Sequence, residues 1–325
     1  MGWGRSGKLS PRAAEVAKGS NAFSASLRYR AVGEVACVGY PECGEYGLYS
    51  PHGMRRISHY IYGRPDWPKL RWNQKLLEAP LAAVRHRQGR LLGRMESLGL
   101  LRKETVRETL TLDVLKSSEI EGEILNREQV RSSVARRLGM HVAGVVPVDR
   151  NVEGVVEMTM DATQNFDKPL TAERLFGWQG ALFPLGRSGL NRIRVGAWRD
   201  DSGGPMQVVS GPLGREHVHY KAVDAGLVDI EMAAFFDWAN TPSETEPVLG
   251  AAIAHLWFVT VHPFDDGNGR IARAVADWAL ARSEASPQRF YSMSAQIRLD
   301  SNAYYDVLEQ LKKRRSTLLS GWNGF

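Results

Sequence analysis

Two stretches joined by a short loop constrain this chain more than any other feature. Residues 248–261 are apolar on nearly every side, and the run His262-Pro263-Phe264-Asp265-Asp266-Gly267-Asn268-Gly269-Arg270-Ile271-Ala272-Arg273 follows directly. Such an apolar stretch reads as a buried helix. It has to stop at His262, because a proline disfavours helical geometry in the residue before it. The glycines then turn the chain sharply, and a second helix is expected from about Arg270 to Ser283.

That loop carries a definite chemistry. Gly267-Asn268-Gly269 at the start of a helix can aim backbone N–H groups inward and form an anion-binding concavity. Arg270 and Arg273 lie one turn apart on one face. Cations in a first turn oppose the helix dipole by ~0.3–1 kcal/mol each, so the placement suits a polyanion between them. Asp266 is positioned to hold a Mg²⁺ bridging phosphates, since that ion takes one or two carboxylates plus phosphate oxygens and water. His262 is positioned to take a proton from an incoming hydroxyl. A phosphate-binding run ending in Gly-Lys-Ser/Thr is absent, and His255 and His262 lack the His-Glu-x-x-His pattern of a zinc helix.

Position by position these residues match His-x-Phe-x-Asp/Glu-Gly-Asn-Gly-Arg-x-x-Arg, and in this the chain resembles the Fic family. The resemblance implies a mainly α fold, a Fic-type helical bundle with a short β-hairpin flap beside the active site. It implies a protein adenylyltransferase that passes AMP from ATP to a Ser, Thr or Tyr hydroxyl of a protein as pyrophosphate leaves. By that resemblance His262 is the general base, Asp266 the Mg²⁺ ligand, and Gly267, Asn268 and Gly269 the nest for the α-phosphate. Arg270 and Arg273 would hold the β- and γ-phosphates. Tyr304-Tyr305, in a helical segment, resembles a tyrosine pair that lines the adenine site of Fic proteins; core packing is an equal reading of that pair.

Ser117-Ser118-Glu119-Ile120-Glu121-Gly122 fits the Ser/Thr-x-x-x-Glu-Gly/Asn inhibitory motif that some Fic proteins carry on a helix before the core. The match implies that Ser117, Glu121 and Gly122 belong to that motif. Glu121 should then reach Arg273 and displace the γ-phosphate, so that resting activity is low. The resemblance leaves other chemistries open on the same site. A kinase-like branch, which transfers a phosphoryl group, has a Lys where Gly269 stands here. Some members with the inhibitory Glu also remove AMP. A catalytically silent ATP-sensing module is the reading from another class, and the intact His262 speaks against it, because a pure binding site needs no base.

Arg192-Ile193-Arg194-Val195 and Met206-Gln207-Val208-Val209 flank Asp200-Asp201-Ser202-Gly203-Gly204, which predicts a β-hairpin over 192–209. In the Fic family such a flap aligns the target segment by strand addition. Other helices are expected over 81–98, 151–164, 171–182 and 229–240. A capping box is expected at Asn126-Arg127-Glu128-Gln129. Trp67 and Trp72 read as packing residues rather than a ligand cage.

The chain has 325 residues, 43% of them hydrophobic, ample for a core. Its net charge of +6 is not gathered into long runs, and no nucleic-acid motif accompanies it. The implied partners are therefore ATP and a protein with an exposed hydroxyl, with self-modification and a homodimer left open. Both cysteines, Cys37 and Cys43, precede the catalytic region, and no apolar run reaches a membrane span's length. A reducing cytoplasm is the expected location.

Residues 1–53 are rich in Gly, Ser and Ala with little periodicity, and are expected to be a disordered leader or an over-extended start before Met54. Residues 54–125 read as a small N-terminal helical domain with the inhibitory helix, and 126–325 as the Fic catalytic domain. The end, Ser320-Gly321-Trp322-Asn323-Gly324-Phe325, reads as an unfinished domain edge, consistent with truncation.

Overall fold

A computed structural model describes residues 49–50, 53–54, 60–97, 99, 101–141, 147–210, 215 and 217–313. The expectations for the leader and for the unfinished C-terminal edge fall almost wholly outside these residues. Ten α-helices are found among them: α1 (Gln74–Glu96), α2 (Leu101–Ile120), α3 (Arg127–Arg137), α4 (Arg150–Gln164), α5 (Ala172–Leu182), α6 (Val228–Asn240), α7 (Pro247–Val261), α8 (Asn268–Glu284), α9 (Met293–Leu299) and α10 (Ser301–Lys312). Strands are short and paired antiparallel: β1 (Tyr49–Ser50) with β2 (Gly53–Met54), β3 (Arg187–Ser188) with β4 (Asn191–Arg192), and β5 (Gln207–Ser210) with β6 (His217–Lys221). The fold is mainly α, as the sequence indicated.

Helix α7 is the axis of the core. Leu249, Ala251, Ile253, Ala254, Leu256, Trp257, Phe258, Val259 and Val261 are all buried, on every side of the helix. Around it and α8 pack Val155 and Val156 of α4, Leu175 of α5, Phe235 of α6 and Leu110 and Val114 of α2. Burying a side chain of this size contributes roughly 1.5–3 kcal/mol. The central pair α7–α8 is thus held on all sides, and the loop between them is rigidly mounted.

Local capping follows the sequence. Glu246 accepts from Leu249 N at 2.9 Å ahead of Pro247 at the first turn of α7, and Thr171 caps α5. Asn126 caps α3 by accepting from Glu128 N and Gln129 N. The box is only half closed, because the Gln129 side chain accepts from Asp149 N instead of returning to Asn126. Trp67 is buried, its Nε1 donating to Glu231 Oε2 at 2.9 Å and its ring edge-on to Trp257, so it packs as expected. Trp72 packs on a small cluster of Leu77, Leu81, Leu249 and Ile253. Helix α1 starts earlier than 81, and only Leu77 and Leu81 are buried on it, while Val84 is exposed. Further along it Leu91, Leu92 and Met95 are half-buried.

The hairpin expected over 192–209 is not formed. Arg192 pairs with Arg187, and Val208 and Val209 pair with Tyr220 and Val218. The tighter reversal lies earlier, where Gly189 takes φ +56 at the first position of a two-residue turn. The stretch from 196 to 204 is pinned elsewhere: Gly196 N donates to Gln179 Oε1 at 3.0 Å, and Arg199 is buried against the α7–α8 loop. Tertiary anchors took the residues that alternation alone would have placed in a ladder.

Candidate active site

His262 ends α7 in the left-handed region, φ 55 and ψ 59, with its N–H donating to Phe258 O at 2.9 Å. That conformation is uncommon outside glycine and costs on the order of 1–3 kcal/mol, so the surroundings must enforce it. Arg199 does so. Its Nε donates to His262 O at 2.7 Å, its Nη2 to Val223 O and to Val261 O, and its backbone N–H to Pro263 O at 2.9 Å. Asn268, fully buried, closes the loop on itself: Oδ1 accepts from Phe264 N at 3.0 Å and Nδ2 donates to Phe264 O at 2.7 Å. The loop is thus built from both sides before any ligand arrives.

The histidine it presents is buried and held neutral. Burial, aided by the Lys312 and Arg199 cations, pushes the His262 imidazolium well below the usual histidine range. A neutral imidazole is the form that can accept a proton. His255, facing Tyr304 with Nε2 3.1 Å from its hydroxyl, is likewise pushed down to about 3 by burial, Arg273 and Lys312.

Helix α8 begins at Asn268 after Gly267 at φ +88, and no side chain caps it. The first amides of a helix have no internal partners, so Asn268, Gly269 and Arg270 offer an uncapped turn of donors. Asp266, half-buried, accepts from Gly267 N through Oδ1 at 2.6 Å and from the Ser188 hydroxyl through Oδ2. Neighbouring Asp265 accepts from Arg194 N at 2.7 Å. Both contacts come from the segment around β3–β4, which makes that hairpin, rather than 192–209, the one beside the loop. Among the described residues Asp266 forms no ion pair, and a single carboxylate beside phosphates is a usual Mg²⁺ environment.

The segment from Ser117 to Glu123 reaches this loop by a defined turn. Helix α2 ends at Ile120, Gly122 N donates to Glu119 O at 3.1 Å, and Glu123 N donates to Ser118 O at 3.0 Å. This is a Schellman motif, which needs its left-handed residue at Gly122, φ +81. It places Glu121 and Glu123 on either side of the glycine. Arg273 Nη2 lies 2.8 Å from Glu121 Oε1, and its Nε and Nη2 also donate to Ser117 Oγ and Ser117 O, each at 2.9 Å. The contact expected of Glu121 is therefore present, and Ser117 shares it. Arg270 Nη1 lies 2.7 Å from Glu123 Oε2, and its guanidinium covers the Phe183 ring at 5.1 Å. Both arginines are buried, so both ion pairs are made within the site. A Cβ on Gly269 would stand 2.2 Å from Glu121 Oε1, so the glycine makes room for that carboxylate.

Tyr304 is buried and Tyr305 half-buried on α10, their rings 5.1 Å apart, and the charges of Arg273 and Glu121 act on both. The structure thus gathers His262, Asp266, the glycine turn, both arginines, Ser117, Glu121 and the tyrosine pair in one place. Glu123, Arg199 and Ser188 were not singled out from the sequence. The alternation Glu119, Glu121, Glu123 was a usable signal for the first. Nothing local marked Arg199 or Ser188, because their partners lie 63 and 78 residues away.

The profile of the Fic/DOC family matches residues 169–280, and that of a domain of unknown function, DUF4172, matches residues 60–140. A protein adenylyltransferase fic-1 of Caenorhabditis briggsae is 44% identical over 59 residues, 18% of this chain and 12% of the relative. A protein adenylyltransferase Fic of Nematostella vectensis is 37% identical over 84 residues, 25% of this chain and 18% of the relative. A uridine 5'-monophosphate transferase of Xanthomonas campestris is 42% identical over 64 residues, 18% of this chain and 12% of the relative. The matches thus span less than a fifth of each of these relatives. Among solved structures, a Fic family protein of Desulfovibrio desulfuricans superposes with a TM-score of 0.49 at 24% identity, covering 70% of this chain and 65% of that one. A Fic-1 fragment of C. elegans has a TM-score of 0.49 at 24% identity, over 73% and 67%. Among the described residues no helix is long and apolar enough to cross a membrane. The chain thus carries a Fic/DOC domain at residues 169–280, preceded by a DUF4172 region at residues 60–140.

Proposed function

We propose that the protein is an adenylyltransferase that moves AMP from ATP to a Ser, Thr or Tyr hydroxyl of a protein, and that it rests in an inhibited state. The observation that carries this reading is the buried, neutral His262 on the same loop as an uncapped helix start and two buried arginines. His262 takes the proton of the target hydroxyl as its oxygen bonds to the α-phosphorus. The bond from that phosphorus to the bridging oxygen breaks, and pyrophosphate leaves with the electron pair. Amides of 268–270 stabilise the charge that develops on the α-phosphate. Arg270 and Arg273 hold the β- and γ-phosphates, and Tyr304 and Tyr305 flank the base. Asp266 would hold Mg²⁺, whose charge offsets that of the phosphates when bound. Gly269, where the kinase-like branch has Lys, favours adenylyl over phosphoryl transfer.

In this reading residues 54–125 deliver the inhibitory carboxylates to the catalytic part at 126–325. Glu121 occupies Arg273 and Glu123 occupies Arg270, so the γ- and β-phosphates both meet competitors. Each charge opposes its own helix dipole, the acids at the end of α2 and the arginines at the start of α8. They compensate one another until a polyphosphate replaces the acids. A reducing compartment suits a chain whose only two cysteines precede the site.

The name of the Xanthomonas relative favours a second reading, uridylyl transfer on the same site. One experiment addresses both. Wild type, Glu121→Gly and Glu121→Gly/His262→Ala are incubated with Mg²⁺ and ATP or UTP, with and without cell lysate proteins, and modification is read by intact mass and labelled nucleotide. AMP added by Glu121→Gly and not by the double variant supports the proposal. UMP addition would shift the reading to uridylyl transfer, and a phosphoryl-sized addition to the kinase-like branch. ATP binding with no transfer to any protein would favour the sensing module.

A further inference from the structure

A second cluster of chemistry-bearing side chains lies outside this site and takes no part in it. Strand β6 carries His217-Val218-His219. Residues two apart on a strand share a face, and the two imidazoles meet edge to face with ring centroids 4.6 Å apart. Helix α10 brings Glu309 against them, its Oε2 2.9 Å from His219 Nδ1. Candidate ligand atoms of His217, His219 and Glu309 all lie within 4.8 Å of one another, the one such group of three among the described residues.

The geometry points to a site for a divalent transition-metal ion, Zn²⁺ first, held by His217, His219 and Glu309. Two imidazoles and a carboxylate are a borderline nitrogen and oxygen set that suits zinc, with a fourth position left for water. His219 also has the supporting contact that metal-bound histidines use. Its Nε2 lies 2.6 Å from Ser210 Oγ, and a ligating imidazole commonly directs its other nitrogen to an oxygen partner that sets the tautomer. With Nε2–H donated to Ser210, the Nδ1 lone pair faces Glu309. Bonds of ~2.0–2.1 Å place ligand atoms roughly 3.4 Å apart, so the three groups must draw together from separations of at most 4.8 Å. His217 is exposed, and an ion can enter from solvent.

The charges facing the cluster are mixed. Lys313 Nζ binds Glu309 Oε1, leaving Oε2 against His219 Nδ1. The lysine is flexible and at the surface, so an ion at Oε2 can displace or share it. Bound there, the ion would tie the β5–β6 pair to α10, the helix that carries Tyr304 and Tyr305. Already linking β6 to α10 are the His219–Glu309 contact and Lys312 Nζ over the Tyr220 ring at 4.3 Å.

The test uses the full chain without an affinity tag, stripped with a chelator and dialysed to equilibrium against Zn²⁺ near neutral pH, with bound metal quantified. One zinc per chain at micromolar or lower free metal is expected. His219→Gln and Glu309→Gln should each weaken binding at least tenfold, and Ser210→Ala by a smaller factor. His217→Gln, at an exposed position, supplies a ligand variant whose fold is not at stake. Thermal midpoints in chelator should match wild type, while zinc should raise the midpoint of wild type alone. Absence of stoichiometric uptake at about 100 μM zinc would overturn the site, as would uptake unchanged in His217→Gln and in His219→Gln/Glu309→Gln. Neither result bears on nucleotide transfer at His262.

Discussion

Glu123 and Arg270 form the second of two ion pairs across one junction: Glu123 Oε2 stands 2.7 Å from Arg270 Nη1, beside Glu121 Oε1 at 2.8 Å from Arg273 Nη2. The pairs are not equal, since the Glu121 side chain is 17% exposed and that of Glu123 44%. Their order of importance follows from that difference.

A charge-assisted bond shielded from water is worth ~1.5–3 kcal/mol, while a solvent-screened pair is worth about 0–1. Glu121→Gly should therefore raise ATP-dependent transfer about tenfold or more, and Glu123→Gln about two- to fivefold. The double variant should exceed either. Initial rates of labelled AMP incorporation measure this, and equal rates in wild type and Glu123→Gln would remove Glu123 from the inhibition.

Gly269→Ala puts a Cβ where Glu121 Oε1 now sits. The carboxylate is the far end of a flexible side chain and can move, so the fold should lose no more than about 1–2 kcal/mol. The added methyl also narrows the turn meant for the α-phosphate. Transfer by Glu121→Gly/Gly269→Ala should fall well below that of Glu121→Gly, and nucleotide titration should show weaker ATP binding. An unaltered rate would mean that the nest has room to spare.

Arg199→Met leaves the carbonyls of His262, Val261 and Val223 without their donor. Unsatisfied buried acceptors cost ~1–3 kcal/mol each, and partial relaxation leaves an expected loss of about 2–4 kcal/mol. Denaturant midpoints report it. Arg199→Lys, which can reach one carbonyl but not all three, should recover only part of the stability and of the transfer rate. Full recovery by lysine would show that charge alone is needed there.

His255 is neutral in the folded protein, its pKa moved from 6.5 to about 3. A histidine with a depressed folded pKa is no burden above its unfolded value. As pH falls below 6.5 the unfolded state takes up the proton and the folded state does not. Stability should then drop by about 1.4 kcal/mol per pH unit for this group as pH falls from 6.5 toward 3. Urea midpoints at several pH values measure the slope, and His255→Gln should flatten it.

His262 is displaced in the same direction. The transfer rate of Glu121→Gly should accordingly show no acid limb near 6.5, holding level to lower pH while the protein stays folded. A limb at the ordinary histidine value would mean that the imidazole is solvated in the working state.

Much of the site could be read from residues 262–273 and 117–122, and the reason is geometric. Helices α7 and α8, the proline stop, the glycine turn and the Schellman end of α2 are local structures, decided by propensity and by backbone restrictions within a few residues. The wide apolar surface of 248–261 likewise announced a central helix. The hairpin was legible as alternation but not as a pairing, because the choice between Arg187 and Met206 as the neighbour of this stretch was made by distant anchors, Gln179 and the loop at 262–263. Arg199 at the back of His262, Glu123 on Arg270, Ser188 on Asp266 and the meeting of His217, His219 and Glu309 are decided only by tertiary structure. Each joins segments far apart in the chain, and no local preference encodes where a long polar side chain finds its partner once the helices have packed.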